Sequence, residues 1–403
     1  MKKRIFIAIH YMEIGGAEIS LIGLLQALDY SKYDVDLFVY SHQGELMQFI
    51  PKEVHLLPEN GVYAHIEQSM KDALLHGYLR LVLARLKAKW QHKMYLKHKD
   101  VADSAAIFQY VANAVTPVLP SLYKYGEYDL AISFLTPHNI VLDKVKAKKK
   151  VCWIHTDYST VDVNTALEQP VWVEYDHIVS ISPDVTRTFL KVFPSLKNKI
   201  VEMENILSPQ FVRKRAEEFD VSAEMGGACI KLLTIGRFTH QKNLENVPDI
   251  CQRINSSLFT LHSSLNVKWY IIGFGNDEEL IRQRIIETGM QEHVILLGKR
   301  TNPYPYIKAC DVYVQPSRYE GKSVTVREAQ MLCKPVVVTS YPTASSQIQD
   351  GVDGIIVPLD NEGCARGLAD FIRNKELQAR ITDYLRSHDY GNESEVQRIE
   401  ALF

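Results

Sequence analysis

Two glutamates with seven residues between them, Glu320 and Glu328, stand in the stretch SRYEGKSVTVREAQMLCKPVVVT, residues 317–339. Ser317 to Ser323 is polar and contains glycine, so a loop with free backbone N–H groups is expected there. Apolar positions from about Val324 to Leu332 suit a helix packed on a sheet. Lys334-Pro335 stops that helix, because proline lacks the N–H and clashes with the preceding turn. Val336-Val337-Val338 is a β-branched run suited to a strand covered on both faces. Glu320 therefore falls in a strand-to-helix loop, and Glu328 on the helix behind it. A helix start gathers unpaired N–H groups and partial positive charge, a setting for phosphate. One carboxylate near such a phosphate would face sugar hydroxyls and the other a ribose. The alternative is that both are solvated surface charges.

A second set of charges lies upstream. Lys231 to Ile235 reads as a strand, Gly236-Arg237 opens the loop after it, and Lys242 follows five residues later. Two cations in one such loop suit a diphosphate, arginine by its fork and lysine as a point charge; isolated, they would be surface charges. Val267 to Gly275 runs as a strand into Gly273-Phe274-Gly275, but Glu278 stands where a dinucleotide fingerprint needs a third glycine. In the first half, Arg4 to His10 is a strand, Gly15-Gly16 follows, a helical pattern runs from Ile19 to Leu28, and Asp34 to Tyr40 is the next strand. Backbone at Gly15 and Gly16 would approach a phosphate or an acceptor closely, or would simply make a tight turn. His155 ends the buried strand Val151 to Ile154, where it either faces a cleft or is a structural histidine satisfied by backbone.

The elements that must carry these loops are alternating strands and helices in a chain of 403 residues, long enough for two domains. Hydrophobic content of 46% and charged content of 23% are ordinary for a soluble globular chain. The net charge of −2 gives no global field for nucleic acid. Six cysteines without a CxxC pair read as reduced cysteines of a cytosolic protein. The apolar run IFIAI near the start is too short for a signal-peptide core, and no stretch approaches a membrane span. With no HExxH, Cys/His cluster or EF-hand loop, no metal is indicated, and Walker A and GxSxG sequences are absent too. Residues 67–116 differ in tone. Between 71 and 99, leucines, Trp90 and Met94 are interleaved with eight bases, which reads as a basic amphipathic helix. Such a face lies on anionic lipid, or is a helical insertion with a solvated basic side.

IGRFTHQKN, then PSRYEGKSVTVREAQMLCKPVVVT about eighty residues later, then DGVDGIIVP, resemble in order and spacing the family 4 retaining glycosyltransferases of GT-B fold. The GGAE loop, His155 after a buried strand and MENIL before a polar stretch fit the same pattern. The resemblance implies two Rossmann-like α/β domains with parallel sheets facing across a cleft. Residues 1–207 would be the acceptor domain, 208–228 a linker and 229–387 the nucleotide-sugar domain, with a last helix, 388–403, packing back on the first. It implies that Arg237 and Lys242 neutralise the departing diphosphate and that Glu320 sits by the donor sugar. Glu328 would accept from ribose hydroxyls, while the amides of Gly321, Lys322, Ser323 and Val324 hold sugar or phosphate oxygens. His155 would reach the sugar, Gly15 and Gly16 would let the first loop approach, and the base would lie near Gly273, Gly275, Lys299 and Arg300.

The implied reaction is retaining transfer, without a metal or other cofactor, from a UDP- or GDP-sugar to a glycan or lipid-linked acceptor. It would serve surface polysaccharide synthesis, in the cytoplasm or at the inner face of the membrane. Lys322-Ser323 replaces a common apolar-Gly pair, so Lys322 either reaches the donor or points to solvent. Cys333-Lys334-Pro335 stands where Gly-x-Pro is common. Other readings are an epimerase of the same fold acting on a nucleotide sugar alone, and a non-catalytic partner subunit.

Overall fold

The computed structural model describes residues 2–13, 15–97, 99, 104–159, 161–260 and 266–403. Of the span expected as a helical insertion, residues 98 and 100–103 lie outside the described residues. Contacts divide the chain into two units, Met1–Leu207 with Asn392–Phe403, and Ser208–Gly391.

The first unit is built on β1 (Lys3–Ile9), β2 (Tyr33–Val39), β3 (His55–Leu56), β4 (Glu127–Ser133), β5 (Lys146–Ile154), β6 (His177–Ser180) and β7 (Ile200–Glu202). They form one parallel sheet in the order β3-β2-β1-β4-β5-β6-β7. Ile5 of β1 stands opposite Val35 on one side and Leu130 on the other. Ile5 to Ile9 are all buried, as a parallel strand with helices on both faces requires. Helix α1 (Gly16–Ala27) makes the first crossover, and α2 (Gly61–Ala64), α3 (Met70–Leu75), α4 (Leu79–Leu96) and α5 (Ala106–Val115) lie between β3 and β4. The lysine run 146–150 is part of β5, which starts five residues before the apolar segment read as a strand.

The second unit repeats the plan with β8 (Ile230–Ile235), β9 (Val267–Ile272), β10 (Val294–Gly298), β11 (Val312–Gln315), β12 (Val336–Thr339) and β13 (Ile355–Val357), all parallel in the order β10-β9-β8-β11-β12-β13. Every residue of β11 and β12 is buried. A hydrogen-bonded chain crosses its middle. Trp269 Nε1 on β9 donates to Thr234 Oγ1 on β8 at 2.9 Å, and that hydroxyl donates to the Val314 carbonyl of β11 at 2.6 Å. This satisfies the polar atoms of two fully buried side chains and fixes β8 between its neighbours.

Both sheets are Rossmann-like, the two-sheet architecture of the GT-B fold. In each, the strand order reverses between the first strand and the fourth, β1/β4 and β8/β11. In open α/β sheets that switch point, at the strands' carboxyl ends, is where ligands sit. Residues 208–228, expected as a linker, belong to the second unit and open with a helix, Pro209–Arg215, capped by Ser208 and burying Val212. The segment expected as a last α-helix is a 3₁₀ helix, Glu393–Leu402, preceded by Asn392, whose amide bonds Leu207 N and Asn205 O at 2.9 Å each. The last α-helix is Lys375–Ser387.

Candidate active site

In the second unit, the loop after β8 carries both cations. Arg237 is exposed, and the described residues give its guanidinium no partner. Lys242 closes a 3₁₀ turn, His240–Lys242, which Asn243 ends in the left-handed conformation at φ 59°. The buried Asn243 amide donates to the Pro316 carbonyl at 3.0 Å and so ties this loop to the one after β11. Lys242 Nζ donates to Glu320 Oε1 at 2.6 Å, with side chains only 16% and 7% exposed. The same oxygen accepts from Ser317 Oγ at 2.6 Å and Gln315 Nε2 at 3.2 Å, while Oε2 accepts from Gln241 Nε2 at 3.4 Å. Glu320 is thus held by groups from both loops flanking the β8/β11 switch point.

The glycines after β9 allow these loops to close on one another. Gly273 and Gly275 have φ of 156° and 155°. A Cβ on Gly273 would stand 1.9 Å from the Gly236 carbonyl oxygen, and one on Gly275 2.4 Å from that of Phe238. Neither position accepts a side chain without moving backbone. Phe274, between them, is exposed, with Lys299 Nζ 5.6 Å from the centre of its ring. Arg300 is engaged elsewhere: it donates to Tyr306 Oη at 2.8 Å and pairs with Glu224.

The helix Val324–Met331 follows the Glu320 loop, with Ser323 as its N-cap. Of the four amides expected free, that of Ser323 donates to Gln347 Oε1 at 3.0 Å, and Gln347 donates back to the Ser323 carbonyl at 2.6 Å. Gly321 and Lys322 precede the cap in the loop, and Val324 is the first helical residue. Glu328 sits one turn into the helix and is 1% exposed. Burial pushes its carboxyl up to about 7, against the hydrogen bond from Tyr304 Oη at 2.7 Å and the charge of Arg215. Glu328 is therefore neither a solvated surface charge nor in contact with Glu320's network.

In the first unit, Gly15 is the extended N-cap of α1, and Gly16 is its first residue rather than part of the preceding loop. A Cβ on Gly15 would meet the Glu18 carboxylate at 2.2 Å; one on Gly16 would meet nothing within 4 Å. His155 follows β5, its ring 4.8 Å from that of Phe134, with both nitrogens shielded and without a hydrogen-bond partner among the described residues. Burial pushes it down to about 4. Two histidines not singled out from the sequence share these strand ends. His10, after β1, stands 2.6 Å from Glu67 Oε1, and His138, after β4, stands 2.8 Å from Ser133 Oγ. Tyr304 and Arg215 were missed as well. Arg215 lies in the stretch read as a linker, and its burial beside Tyr304 and Phe211 has no local sequence signal.

Residues 219–388 match the family model described as glycosyl transferases group 1. Among curated relatives, the lipopolysaccharide core biosynthesis glycosyltransferase LpsE of Rhizobium meliloti is 23% identical over 159 residues, 39% of this chain and 43% of that protein. An N-acetylgalactosaminyltransferase of Campylobacter jejuni, whose name specifies a diphospho-undecaprenol-linked acceptor, is 27% identical over 149 residues, 36% of this chain and 38% of that protein. The chain thus spans less than half the length of these curated relatives. Among solved structures, Anabaena HepE in complex with UDP and glucose superposes with a TM-score of 0.66 at 14% identity, over 99% of this chain and 98% of that one. A TarM variant from S. aureus in complex with UDP, fondaparinux and alpha-GlcNAc-glycerol gives 0.66 at 13%, over 99% of each chain. The segment 219–388 that resembles the glycosyl transferases group 1 is the one that carries the Arg237, Lys242, Glu320 and Glu328 loops.

Proposed function

We propose that the protein transfers a sugar from a nucleotide-diphosphate sugar to a glycan or lipid-linked acceptor, with retention at the anomeric carbon and without a metal. The observation that carries this reading is the Lys242–Glu320 pair at the β8/β11 switch point, with the unpartnered Arg237 on the same loop. When the anomeric C–O bond breaks, negative charge develops on the leaving diphosphate and positive charge on the sugar. Arg237 is the group placed to meet that diphosphate by its fork. Lys242 supplies a second cation, held by its ion pair with Glu320. Preorganised charge of this kind is commonly the largest catalytic contribution, and two cations at the diphosphate take the place a divalent ion would fill.

In this reading Glu320 positions Lys242 and lies beside the donor sugar. The amides of Gly321 and Val324 hold phosphate or sugar oxygens, and Lys322 reaches the same group. Glu328 serves the ribose through acceptor sites that the Tyr304 hydroxyl, donating to Oε1, leaves open. Gly273, Gly275 and Lys299 border the base, and Arg300 shapes that loop through Tyr306 and Glu224. Gly15, Gly16 and His155 belong to the first unit and serve the acceptor and the reacting sugar. UDP is the favoured nucleotide, supported by its presence in the complexes of HepE and TarM, which share the fold. Surface polysaccharide is the favoured product class, supported by relatives named for lipopolysaccharide and amylovoran synthesis. A thermal-shift series with UDP, GDP and ADP tests the nucleotide, since only a ligand bound to the folded state raises the midpoint. UDP should stabilise most, and less so in Arg237→Ala. No shift with any of the three would remove the reading. Initial rates unchanged by EDTA test the metal clause.

We place the acceptor at an anionic membrane surface, because α4 carries two apolar stripes. Leu81, Val82, Ala84, Ala88 and His92 face the unit's own core, whereas Leu79, Leu83, Leu86, Trp90 and Met94 are exposed, Trp90 to 65%. The second stripe lies among exposed Arg80, Lys87, Lys89 and Lys93. That is the make-up of an interfacial helix. Among the described residues no helix is long and apolar enough to cross a membrane. Co-sedimentation with vesicles containing anionic lipid should exceed that with neutral vesicles. Equal recovery in the supernatant would sink the membrane clause alone.

A further inference from the structure

The geometry points to a divalent transition-metal site in the first unit, formed by His65, Asp72 and His76, that staples the end of α2 to α3. One ring nitrogen of each histidine and one carboxylate oxygen of Asp72 lie within 4.8 Å of one another. Local structure brings them together. Ser69 caps α3 by accepting from the Asp72 N–H at 3.0 Å, which sets Asp72 in the first turn, and His76 follows four residues later at the helix C-cap. His65 is the C-cap of α2, and the two imidazole centres are 4.6 Å apart.

The tautomers make the arrangement specific. His65 Nδ1 stands 2.6 Å from the Gly61 carbonyl oxygen, which only accepts, so Nδ1 carries the proton. His76 Nδ1 stands 2.9 Å from the Asp72 carbonyl oxygen, which sets the same tautomer. A histidine whose Nδ1–H is bound to a backbone carbonyl presents Nε2 as a lone pair, the usual orientation of a metal ligand. His65 Nε2 then faces Asp72 Oδ2 at 3.1 Å, lone pair against carboxylate. That contact needs a cation between its atoms: a second proton, giving a plain ion pair, or a metal. Ligands about 2.0–2.1 Å from one tetrahedral ion stand roughly 3.3 Å apart, so His65 and Asp72 are already at the spacing zinc would impose. His76 is half exposed, and its Nδ1 stands 3.6 Å from Asp72 Oδ1, so the ring must turn to bring Nε2 to the same ion. Two imidazoles and a carboxylate match zinc and its neighbours in the first row, with a fourth position left to water. None of these residues belongs to the second unit, where the proposed donor groups lie, so this site stands whether or not the transferase reading does.

The test uses the full chain, stripped with EDTA and titrated with Zn²⁺ by calorimetry, alongside a thermal-shift measurement. Wild type should bind one Zn²⁺ per chain saturably and unfold at higher temperature with it. His76→Ala and Asp72→Asn should each weaken binding at least tenfold and lose the thermal shift. His55→Ala removes an exposed histidine elsewhere on the same unit and should bind as wild type does. Co²⁺ should give a visible ligand-field band in wild type that is absent from His76→Ala. Absence of saturable binding to wild type, or equal loss in all three variants, overturns the assignment. So does a His76→Ala isotherm equal to wild type.

Discussion

The two switch points share one strand order and differ in the charge they hold. At β8/β11, four side-chain hydrogen bonds converge on the Glu320 carboxylate, one of them from a lysine, and an unpaired arginine stands on the same loop. At β1/β4 and the adjacent β5 the corresponding strand ends carry histidines. His138 and His155 are held neutral by burial, and ring nitrogens of His10, His138 and His155 have no partner among the described residues. One scaffold therefore puts a lysine–glutamate pair with a free arginine at one switch point, and two histidines held neutral beside the His10–Glu67 contact at the other. A charged switch point suits a diphosphate. Neutral imidazoles such as His138 and His155 suit hydroxyl groups, which supports giving donor and acceptor to different units.

The sharpest way to break this comparison is through pH. Burial, with smaller repulsion from the neighbouring imidazoles of His10 and His155, pushes His138 down to about 3 from an ordinary 6.5. A histidine held neutral by the fold contributes stability that is fully present above its unfolded pKa and is lost as pH falls through the folded one. The first unit should lose about 4 kcal/mol between pH 6.5 and pH 3 from this group. Hydrogen exchange of β4 and β5 amides, read as opening free energy against pH, should show the slope, and His138→Gln should flatten it whatever that change costs in absolute stability. An unchanged slope would mean that the fold does not hold this histidine neutral.

Next in size is the charged side. Arg237→Ala and Lys242→Ala should each lower turnover by 10²–10³, about 3 kcal/mol, if each meets the leaving diphosphate. Their stabilities should part company. Arg237 is exposed and unpaired, so its loss should leave the unfolding midpoint where it was. Lys242→Ala strands Glu320 with only neutral donors in a site that is 7% exposed, and should destabilise the second unit by about 2 kcal/mol. Equal thermal effects would show that the pair is not the organising contact of this loop. Glu320→Gln keeps an acceptor for Ser317 and should recover part of the stability without the activity.

Much of this arrangement is legible in the sequence, and the illegible part has one cause. Strands were readable because parallel strands buried on both faces are unbroken apolar runs, as in Val336–Thr339. The loops with Arg237, Lys242 and Glu320 were readable because charged residues directly after such strands must lie at carboxyl ends. What could not be read was the partner each charge takes. Lys242 and Glu320 are 78 residues apart, and nothing local says that they meet. Arg215 was hidden because a stretch rich in Arg, Lys and Glu reads as a solvated linker. Only the packing of Pro209–Arg215 against Tyr304 places it beside Glu328. His65, Asp72 and His76 escaped because no common ligand motif has their spacing.

Glu328 offers a test of opposite sign to that of His138. Its carboxyl is pushed up to about 7 by burial, so the fold favours the protonated form. That contribution is present below the unfolded pKa of about 4.5 and is lost as pH rises through about 7, roughly 3 kcal/mol in all. Glu328→Gln should therefore stabilise the second unit at pH 8 relative to wild type and make no difference near pH 4, while weakening nucleotide binding at both. Amides of the 324–331 helix should report it by hydrogen exchange. A Glu328→Gln protein as stable as wild type across the range would show that the carboxylate is stabilised by more than Tyr304 and Arg215.

The smallest expected effect concerns a residue type that departs from its conformation. Cys333 has φ 55°, and the bonds Lys334 N–Ala329 O at 3.0 Å and Cys333 N–Gln330 O at 2.9 Å close the helix in the left-handed manner that usually takes glycine. A side chain there costs about 1–2 kcal/mol, whereas glycine adds about 0.5–1 kcal/mol of unfolded-state entropy. Cys333→Gly also gives up the side chain's partial packing on the second unit's core. The balance should be a gain below about 1 kcal/mol, a rise of roughly 2 °C in the unfolding midpoint, with turnover unchanged. Gly273→Ala in the same unit should go the other way, since its Cβ has a carbonyl oxygen 1.9 Å away instead of open space. If both substitutions destabilised alike, Cys333 would have to be held by its sulfur contacts and not merely tolerated by the helix end.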